Sequence, residues 1–457
     1  MKIDKTIFRE YDIRGIYNKN IDESIAYLIG ASFATIIKKQ GKKEALVAYD
    51  NRASSPSLYN SLIKGILNTG INVTSITLAT TPMYYFASNY LNINCGIMIT
   101  ASHNPKEYNG FKISYNGLYN AYGKDVMKIY ETILKNDFSK GQGKLKITNI
   151  DNEYINLLTQ NIKLGKRKIK IVFDCGNGTT GIIAEEIFKI FKNIEYIPMY
   201  TKLDSDFPNH HPDPSVEANI QALKEKVLKT KSDLGLAFDG DGDRVGVVDE
   251  KGNMIDIDKY MIIIWRDIVN KIKDKRALYD VKCSKALEDE LDKLKIEKTM
   301  YRTGNSYMKA KMVKENFPFG GELSGHVFFQ DKFKGYDDGI YAGLRLIEIL
   351  SNTNKTVSQL LNNINIYYNT REIKIEVLED QKQKIIKKVG EYCEKKHYNI
   401  VTIDGIRVLF KDGFALIRAS NTGPNITLRY EANTQERLKA IKKEFNNLLD
   451  KIIKEQV

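Results

Sequence analysis

The stretch FDGDGDRVGVVD, from Phe238 to Asp249, sets Asp239, Asp241 and Asp243 at every second position. Carboxylates so spaced repel one another unless a cation sits among them. A calcium loop of EF-hand type wants carboxylates at positions 1, 3 and 5, glycine at 6 and glutamate at 12. Counted from Asp239, position 12 is Glu250, but position 6 is Arg244, which makes the required turn only at a cost. The flanks decide the matter. LGLAF before and VGVV after are short apolar runs rich in β-formers, not amphipathic helices. The stretch therefore predicts a strand, a tight acidic loop and a second strand. Three hard oxygen ligands with open positions suit Mg²⁺ beside a phosphate better than they suit calcium. A solvated acidic turn is the plain alternative.

The chain of 457 residues is too long for one core and predicts three or four domains. Its four cysteines, Cys95, Cys175, Cys283 and Cys393, are scattered and form no CxxC pair. That speaks against a zinc cluster or a disulfide framework and fits a reduced, cytoplasmic setting. The start, MKIDKTIFREYDIRG, is charged throughout and does not read as a signal peptide. The most apolar run, YMIIIWRDIV at 260–269, is too short to span a bilayer and contains Arg266 and Asp267. The net charge of +13 admits nucleic-acid binding. However, the lysines are spread through helical segments, and no basic run with interleaved aromatics stands out. Arginines inside motifs point instead to a small anionic substrate.

Strand-like and helix-like segments alternate, which predicts α/β layers. LVAYDNR (46–52), IKIVFDCGNG (169–178) and RALYDVKCS (276–284) each carry an apolar strand into an aspartate and a polar loop. Each is followed by a second strand and a richer loop: GIMITASHNP, LGLAFDGDGDR and FPFGGELSGH. Three similar α/β units explain this echo, each placing a loop at the C-terminal end of a strand, where open α/β sheets bind ligands. The C-terminal portion differs. TREIKIEVL (370–378) reads as a strand and QKQKIIKKVGEYCEKK (381–396) as a helix. Strands IRVLF, FALIRAS and ITLRYEA follow, and an amphipathic helix capped by Thr434 closes the chain. Boundaries fall near 145–152, about 253 and 365–370.

The loops carry the chemistry. TASHNPKEYNGFK (100–112) places Ser102 after a strand and beside His103, with Lys106 and Lys112 nearby. A serine so placed suits a nucleophile, although a Ser/Asn/Pro turn explains it too. No GxSxG elbow is present, which speaks against α/β-hydrolase chemistry. GGELSGHVFF (320–329) alternates Glu322, Ser324 and His326 among glycines, as a polar loop or a bare hairpin. RASNTGPNITLR (418–429) offers Arg418, Ser420, Asn421 and Thr422 before Gly423 and Pro424, a phosphate cradle or a polar turn. FREYDIRG (8–15) adds Arg9 and Arg14, for an anionic substrate or as an exposed N-terminal ion pair. DFPNHHPDP (206–214) holds His210 and His211 between prolines, where a structural or interface role is favoured over a metal site. Of the five histidines only His397 lies outside these loops.

The set FREYDIRG, TASHNP, DGDGDR, GELSGH and RASNTGP, from Phe8 to about Ala432, resembles the α-D-phosphohexomutase superfamily. GELSGHVFF followed by GYDDGIYAGLR (335–345), with DVKCS at 280–284, is similar to the bacterial phosphomannomutase/phosphoglucomutase branch. The resemblance implies three similar mixed α/β domains plus a C-terminal α+β domain, heart-shaped around one central cleft. The division becomes 1–148 for a phosphoserine domain, 149–253 for Mg²⁺ binding, 254–367 for sugar binding and 368–457 for phosphate binding. It implies that Ser102 is phosphorylated and that Asp239, Asp241 and Asp243 hold one Mg²⁺ with a phosphoserine oxygen. Arg14, His103, Lys112 and Arg244 would assist transfer, with Lys112 or His103 as the base. Glu322 and Ser324 would bind sugar hydroxyls, with Lys282, Gly304, Asn305 and His326 as further substrate contacts. Arg418, Ser420, Asn421 and Thr422 would grip the phosphate that does not react. The implied reaction interconverts hexose 6-phosphate and hexose 1-phosphate, of mannose or glucose, through a 1,6-bisphosphate that also serves as activator. The implied partners are sugar phosphates, with neither nucleic acid nor membrane, in a monomer or homodimer.

TGNSYMK (303–309) departs from the branch, whose loop usually reads Thr-Gly-His: Asn305 puts an amide where an imidazole is usual. That bears on hexose preference rather than on reaction class. Phosphoglucosamine mutase is the nearest alternative, but Asn421 stands where a glycine is usual there. A catalytically silent sugar-phosphate or nucleic-acid binder is a third reading, opposed by the intact Ser102 and acidic triad.

Overall fold

The computed structural model describes residues 3–117, 119–420 and 423–455. They form two compact units. The first holds residues up to Ile257 with Lys309–Asn316 and Ser324–Leu360; the second holds Asp258–Met308, Phe317–Leu323 and the chain from Leu361 onward.

The first unit contains two mixed sheets. In one, the parallel strands Gly96–Ile99, Glu44–Tyr49, Asn72–Leu78 and Leu145–Ile147 lie side by side. Tyr108–Asn116 joins antiparallel beside Gly96–Ile99 and pairs in turn with Ile13–Ile16. The helices Glu23–Lys39 and Ser55–Leu67 bury Ile29, Phe33, Leu58 and Leu62 in the core of this half. They touch backbone to backbone: a Cβ on Gly30 would lie 2.2 Å from the Leu62 carbonyl oxygen, and one on Gly65 2.2 Å from that of Tyr27. In the other sheet, Ile169–Asp174 runs parallel to both Ile194–Met199 and Leu234–Phe238, and Val245–Asp249 returns antiparallel.

The second unit pairs Arg276–Asp280 in parallel with Glu297–Tyr301 and Phe319–Gly321. It also carries the antiparallel C-terminal sheet, with Ile406–Phe410, Gly413–Ala419 and Asn425–Ala432 as a continuous meander. The helices Lys382–Lys395 and Gln435–Lys454 present Ile385, Val389 and Cys393, and Ile441, Phe445 and Leu449, at helical spacing onto Val408, Ile417 and Leu428. Thr434 caps the last helix by accepting from the Arg437 N–H. The opposite face of the sheet buries Phe414 and Leu416 against Val281.

The sequence echo has a structural cause. In each instance the first strand pairs in parallel with the second: Glu44–Tyr49 with Gly96–Ile99, Ile169–Asp174 with Leu234–Phe238, and Arg276–Asp280 with Phe319–Gly321. The serine, acidic and Glu322 loops therefore all leave the C-terminal ends of parallel strands. The acidic stretch joins two antiparallel strands in the register Phe238↔Val245, which disposes of the EF-hand. Glu250 turns elsewhere and accepts from Thr356 Oγ1 at 2.7 Å.

Candidate active site

Asp239, Asp241 and Asp243 are fully buried, and one carboxylate oxygen of each lies within 4.8 Å of the others. The turn that gathers them needs Gly242 at φ +81°. Asp241 Oδ2 accepts from Thr81 Oγ1 at 2.6 Å and Thr100 Oγ1 at 3.2 Å. The ammonium of Lys112 lies 2.7 Å from Asp241 Oδ2 and 2.7 Å from Asp243 Oδ2. Burial works against the charge on Asp241, but Lys112 and its hydrogen bond hold that carboxyl well below the usual range. Asp239 goes the other way: burial, then the charges of Asp243 and Asp241, push it well above that range. Asp241 Oδ1 is buried without a hydrogen-bond donor. A cluster that raises one acid and leaves a carboxylate oxygen undonated fits a divalent cation with hard oxygen ligands.

Ser102 stands beside this cluster. Its Oγ donates to Asp239 Oδ2 at 2.9 Å and lies 3.2 Å from His103 Nδ1. The backbone there is left-handed, φ +51°, a strained setting for a residue with a side chain. The two loops meet so closely that a Cβ on Gly240 would come within 2.5 Å of the Ser102 carbonyl oxygen. Burial, then the guanidinium of Arg244, pushes His103 well below its ordinary pKa, so the ring is neutral. Burial also disfavours the charge on Lys112, but Asp241 and Asp243 outweigh it and its amine keeps its proton. Between the two bases suggested by the sequence, the neutral one is His103.

Arg244 and His326 form one line of hydrogen bonds. Arg244 Nε donates to His326 Nε2 at 2.8 Å, and His326 Nδ1 is 2.7 Å from Asp337 Oδ2. Because a guanidinium only donates, His326 carries its proton on Nδ1, toward Asp337. Val245 N–H donates to the Gly325 carbonyl at 3.2 Å, which ties the Ser324–His326 segment to the acidic loop. Lys309 is fully buried, its Nζ 3.3 Å from the centre of the Tyr85 ring and 3.9 Å from Asp337 Oδ1. Burial brings it down to about 7. Arg14 donates to Asn104 Oδ1 at 2.7 Å and to Asp12 Oδ2.

The first unit thus gathers Arg14, Ser102, His103, Lys112, the acidic triad, Arg244 and His326. The second gathers Lys282, Gly304, Glu322, Arg418 and Ser420. Glu322 Oε1 accepts from the Gly304 N–H at 2.7 Å. Lys282 is 3.1 Å from Glu372 Oε1; burial lowers its pKa, but Glu372 and Asp280 more than restore it, so it stays charged. Arg418 Nε donates to Asp404 Oδ2 at 2.9 Å, and that oxygen also accepts from the Thr303 N–H at 3.0 Å. The Ser420 carbonyl accepts from Lys382 Nζ at 2.7 Å. Asn305 opens the helix Asn305–Glu315. Asn421 and Thr422 lie outside the described residues. His210 Nε2 is bonded to Asp174 Oδ2 at 2.9 Å, so that histidine is held by a neighbouring strand end.

Sequence reasoning passed over Asp337, Lys309, Thr81 and Asp404. Asp337 and Lys309 both stood in quoted motifs, GYDDGIYAGLR and TGNSYMK, but the pairings of Asp337 with His326 and with Lys309 span 11 and 28 residues and leave no local pattern. The partners of Thr81 and Asp404 are 160 and 14 residues away, beyond any local pattern.

Family models match along the chain. They are described as phosphoglucomutase/phosphomannomutase alpha/beta/alpha domain I over residues 5–140, domain II over 152–252, domain III over 256–367, and the C-terminal domain over 372–448. A protein of Pseudomonas putida named phosphomannomutase/phosphoglucomutase is 38% identical over 444 residues, covering 97% of this chain and 95% of its own. A phosphoglucomutase of Neisseria meningitidis serogroup A is 38% identical over 454 residues, covering 98% and 97%. Among solved structures, a phosphoglucomutase/phosphomannomutase family protein of Burkholderia thailandensis superposes with a TM-score of 0.92 at 36% identity, covering 99% and 98%.

Proposed function

The chain belongs to the phosphoglucomutase/phosphomannomutase family and is a phosphohexomutase, and we propose that it interconverts the 6- and 1-phosphates of mannose, glucose or both through a phosphoserine at Ser102. The observation that carries the residue assignment is the 2.9 Å hydrogen bond from Ser102 Oγ to Asp239, the first carboxylate of a cation-suited cluster.

The proposed cycle balances. The bond from phosphorus to Ser102 Oγ breaks as one forms to the free hydroxyl of the sugar phosphate; that hydroxyl's proton passes to a base, and Ser102 Oγ takes up a proton to become a hydroxyl. The resulting 1,6-bisphosphate turns over, and its other phosphoryl group returns to Ser102. Asp239, Asp241 and Asp243 are the residues that would hold Mg²⁺, which when bound screens the charge of the transferring group. Lys112 and Arg244 are fixed cations at the same place, charged before the reaction starts. Glu322, with Lys282 and the 303–305 loop, is assigned to the sugar, and Arg418 with Ser420 to the phosphate that does not react. A bisphosphate escaping mid-cycle leaves Ser102 bare, so a hexose 1,6-bisphosphate acts as activator. Four buried free thiols suit a reducing cytoplasm.

The test is a coupled assay with mannose 1-phosphate, glucose 1-phosphate and glucosamine 1-phosphate side by side, with peptide mapping of the protein as isolated. We expect turnover of the first two, one phosphate on Ser102, and none of either in Ser102→Ala. Full turnover by that variant would sink the phosphoserine reading. Turnover of glucosamine 1-phosphate alone would move the substrate to the amino sugar.

A further inference from the structure

We propose that Arg52 is the positioning residue of the serine loop: its guanidinium holds Ser102 in the geometry for phosphoryl transfer. This rests on the mutase reading above. Arg52 follows the strand Glu44–Tyr49, and its side chain is 1% exposed. NH1 donates to the carbonyl oxygens of Pro105 at 2.8 Å and Tyr108 at 3.0 Å. NH2 donates to those of Ser102 at 2.9 Å and Asn104 at 2.6 Å. One guanidinium therefore clasps the loop from 102 to 108 by its backbone. Its own place is fixed by Asp50, whose Oδ1 accepts from the Arg52 N–H at 3.1 Å and from Ser55 Oγ at 2.6 Å. The Phe207 ring centre lies 5.6 Å from the guanidinium carbon.

The clasp matters for Ser102 in particular. Its left-handed backbone, φ +51°, persists only where the surroundings impose it. Its carbonyl oxygen is the atom that Arg52 takes, and the same atom is the closest approach to Gly240 of the acidic loop. Fixing that oxygen fixes the side chain on the other bond of the same residue, and with it the 2.9 Å between Oγ and Asp239. Peptide geometry adds a second consequence. The peptide between Ser102 and His103 is trans, as is every peptide among the described residues, so turning the Ser102 carbonyl onto Arg52 turns the His103 N–H the opposite way. Lysine offers a point charge without the planar fork and does not reproduce four carbonyl contacts.

The test compares wild type with Arg52→Lys and Arg52→Ala. Thermal melting, steady-state turnover of glucose 1-phosphate, and single-turnover transfer from phosphorylated enzyme are measured for each. Misplacing the reacting atom by an ångström costs on the order of 100-fold in rate. We expect folded variants whose single-turnover rate and kcat fall by about that factor while KM stays near wild type, and partial recovery of Arg52→Ala with added methylguanidinium. Wild-type kcat in Arg52→Lys overturns the proposal. A raised KM with unchanged kcat overturns it as well, by moving Arg52 to substrate binding. Failure of both variants to fold overturns it by making Arg52 a residue of the fold alone. No turnover by the wild type itself would instead overturn the mutase reading and, with it, this inference.

Discussion

At the scale of single residues, charge arithmetic governs the site. Three buried carboxylates face Lys112 and Arg244, and Lys112 bridges two of them. A unit charge about 4 Å from another is worth on the order of 4 kcal/mol at a protein-like dielectric. Removing the lysine therefore raises the pull of the triad on any added cation. For Lys112→Met we expect Mg²⁺ to bind roughly 10- to 100-fold more tightly by calorimetry without substrate. On the proposed mechanism the same variant should turn over more slowly, because it removes a fixed cation assigned to the transferring group. Weaker Mg²⁺ binding would show that the ammonium orders the carboxylates for the ion rather than competing with it. These residues were legible because their spacing is local: an aspartate at every second position between two strands announces itself. The contacts that steer them were not. Arg52 meets Ser102 50 residues on, and Arg244 meets His326 82 residues on, so neither pairing leaves a pattern in the chain.

At the scale of elements, strands and helices followed from periodicity, but the termini hold less visible constraints. The helix Gly339–Ser351 is buried at every residue, Arg345 and Glu348 included, so its sequence offers no solvent-facing stripe to read. Its cap is Asp338, whose Oδ1 accepts from the Tyr341 N–H at 2.9 Å and whose Oδ2 accepts from Tyr154 Oη at 2.7 Å. Burial, with the neighbouring charge of Asp337, raises Asp338 to about 7 against the ordinary 3.8. The sign is that of an acid favoured neutral in the fold. Below about pH 4 both states are protonated and nothing is lost. Between about 4 and 7 the unfolded chain releases a proton that the folded one keeps, so stability falls as pH rises. Asp338→Asn keeps an acceptor for the cap and never ionises. We expect it to match wild type near pH 4 and to gain progressively up to pH 7, by at most ~4 kcal/mol from a three-unit shift. Urea melts at three pH values check this; an advantage largest at low pH would contradict the assignment.

At the scale of the whole molecule, the residues proposed for the reaction divide between the two compact units. The first carries Ser102, the acidic triad, Lys112 and Arg244; the second carries Glu322, Lys282 and Arg418. The sequence echo revealed the repeated strand pair because each copy keeps an apolar strand ahead of an aspartate. It did not reveal that Lys309–Asn316 and Ser324–Leu360 join the first unit, because a chain crossing between units changes no local composition. The division predicts a split in kinetics. On the roles proposed above, changes in the first unit touch the transferring group and should lower kcat, whereas changes at Arg418 touch the phosphate that does not react. Arg418 is nearly buried and held through Nε and NH2 by Asp404, so it is oriented before any ligand arrives. A charged hydrogen bond to phosphate is worth about 1.5–3 kcal/mol, so Arg418→Ala should raise KM roughly 10- to 150-fold. If the contact is equal in ground and transition states, kcat changes little. In the proposed cycle the same loop serves either end of the sugar as the bisphosphate turns over, so substrates phosphorylated at C1 and at C6 should suffer alike. Steady-state kinetics in both directions decide this. Normal KM with collapsed kcat would place Arg418 at the transferring phosphate, and the assignment of roles to the two units would have to be exchanged.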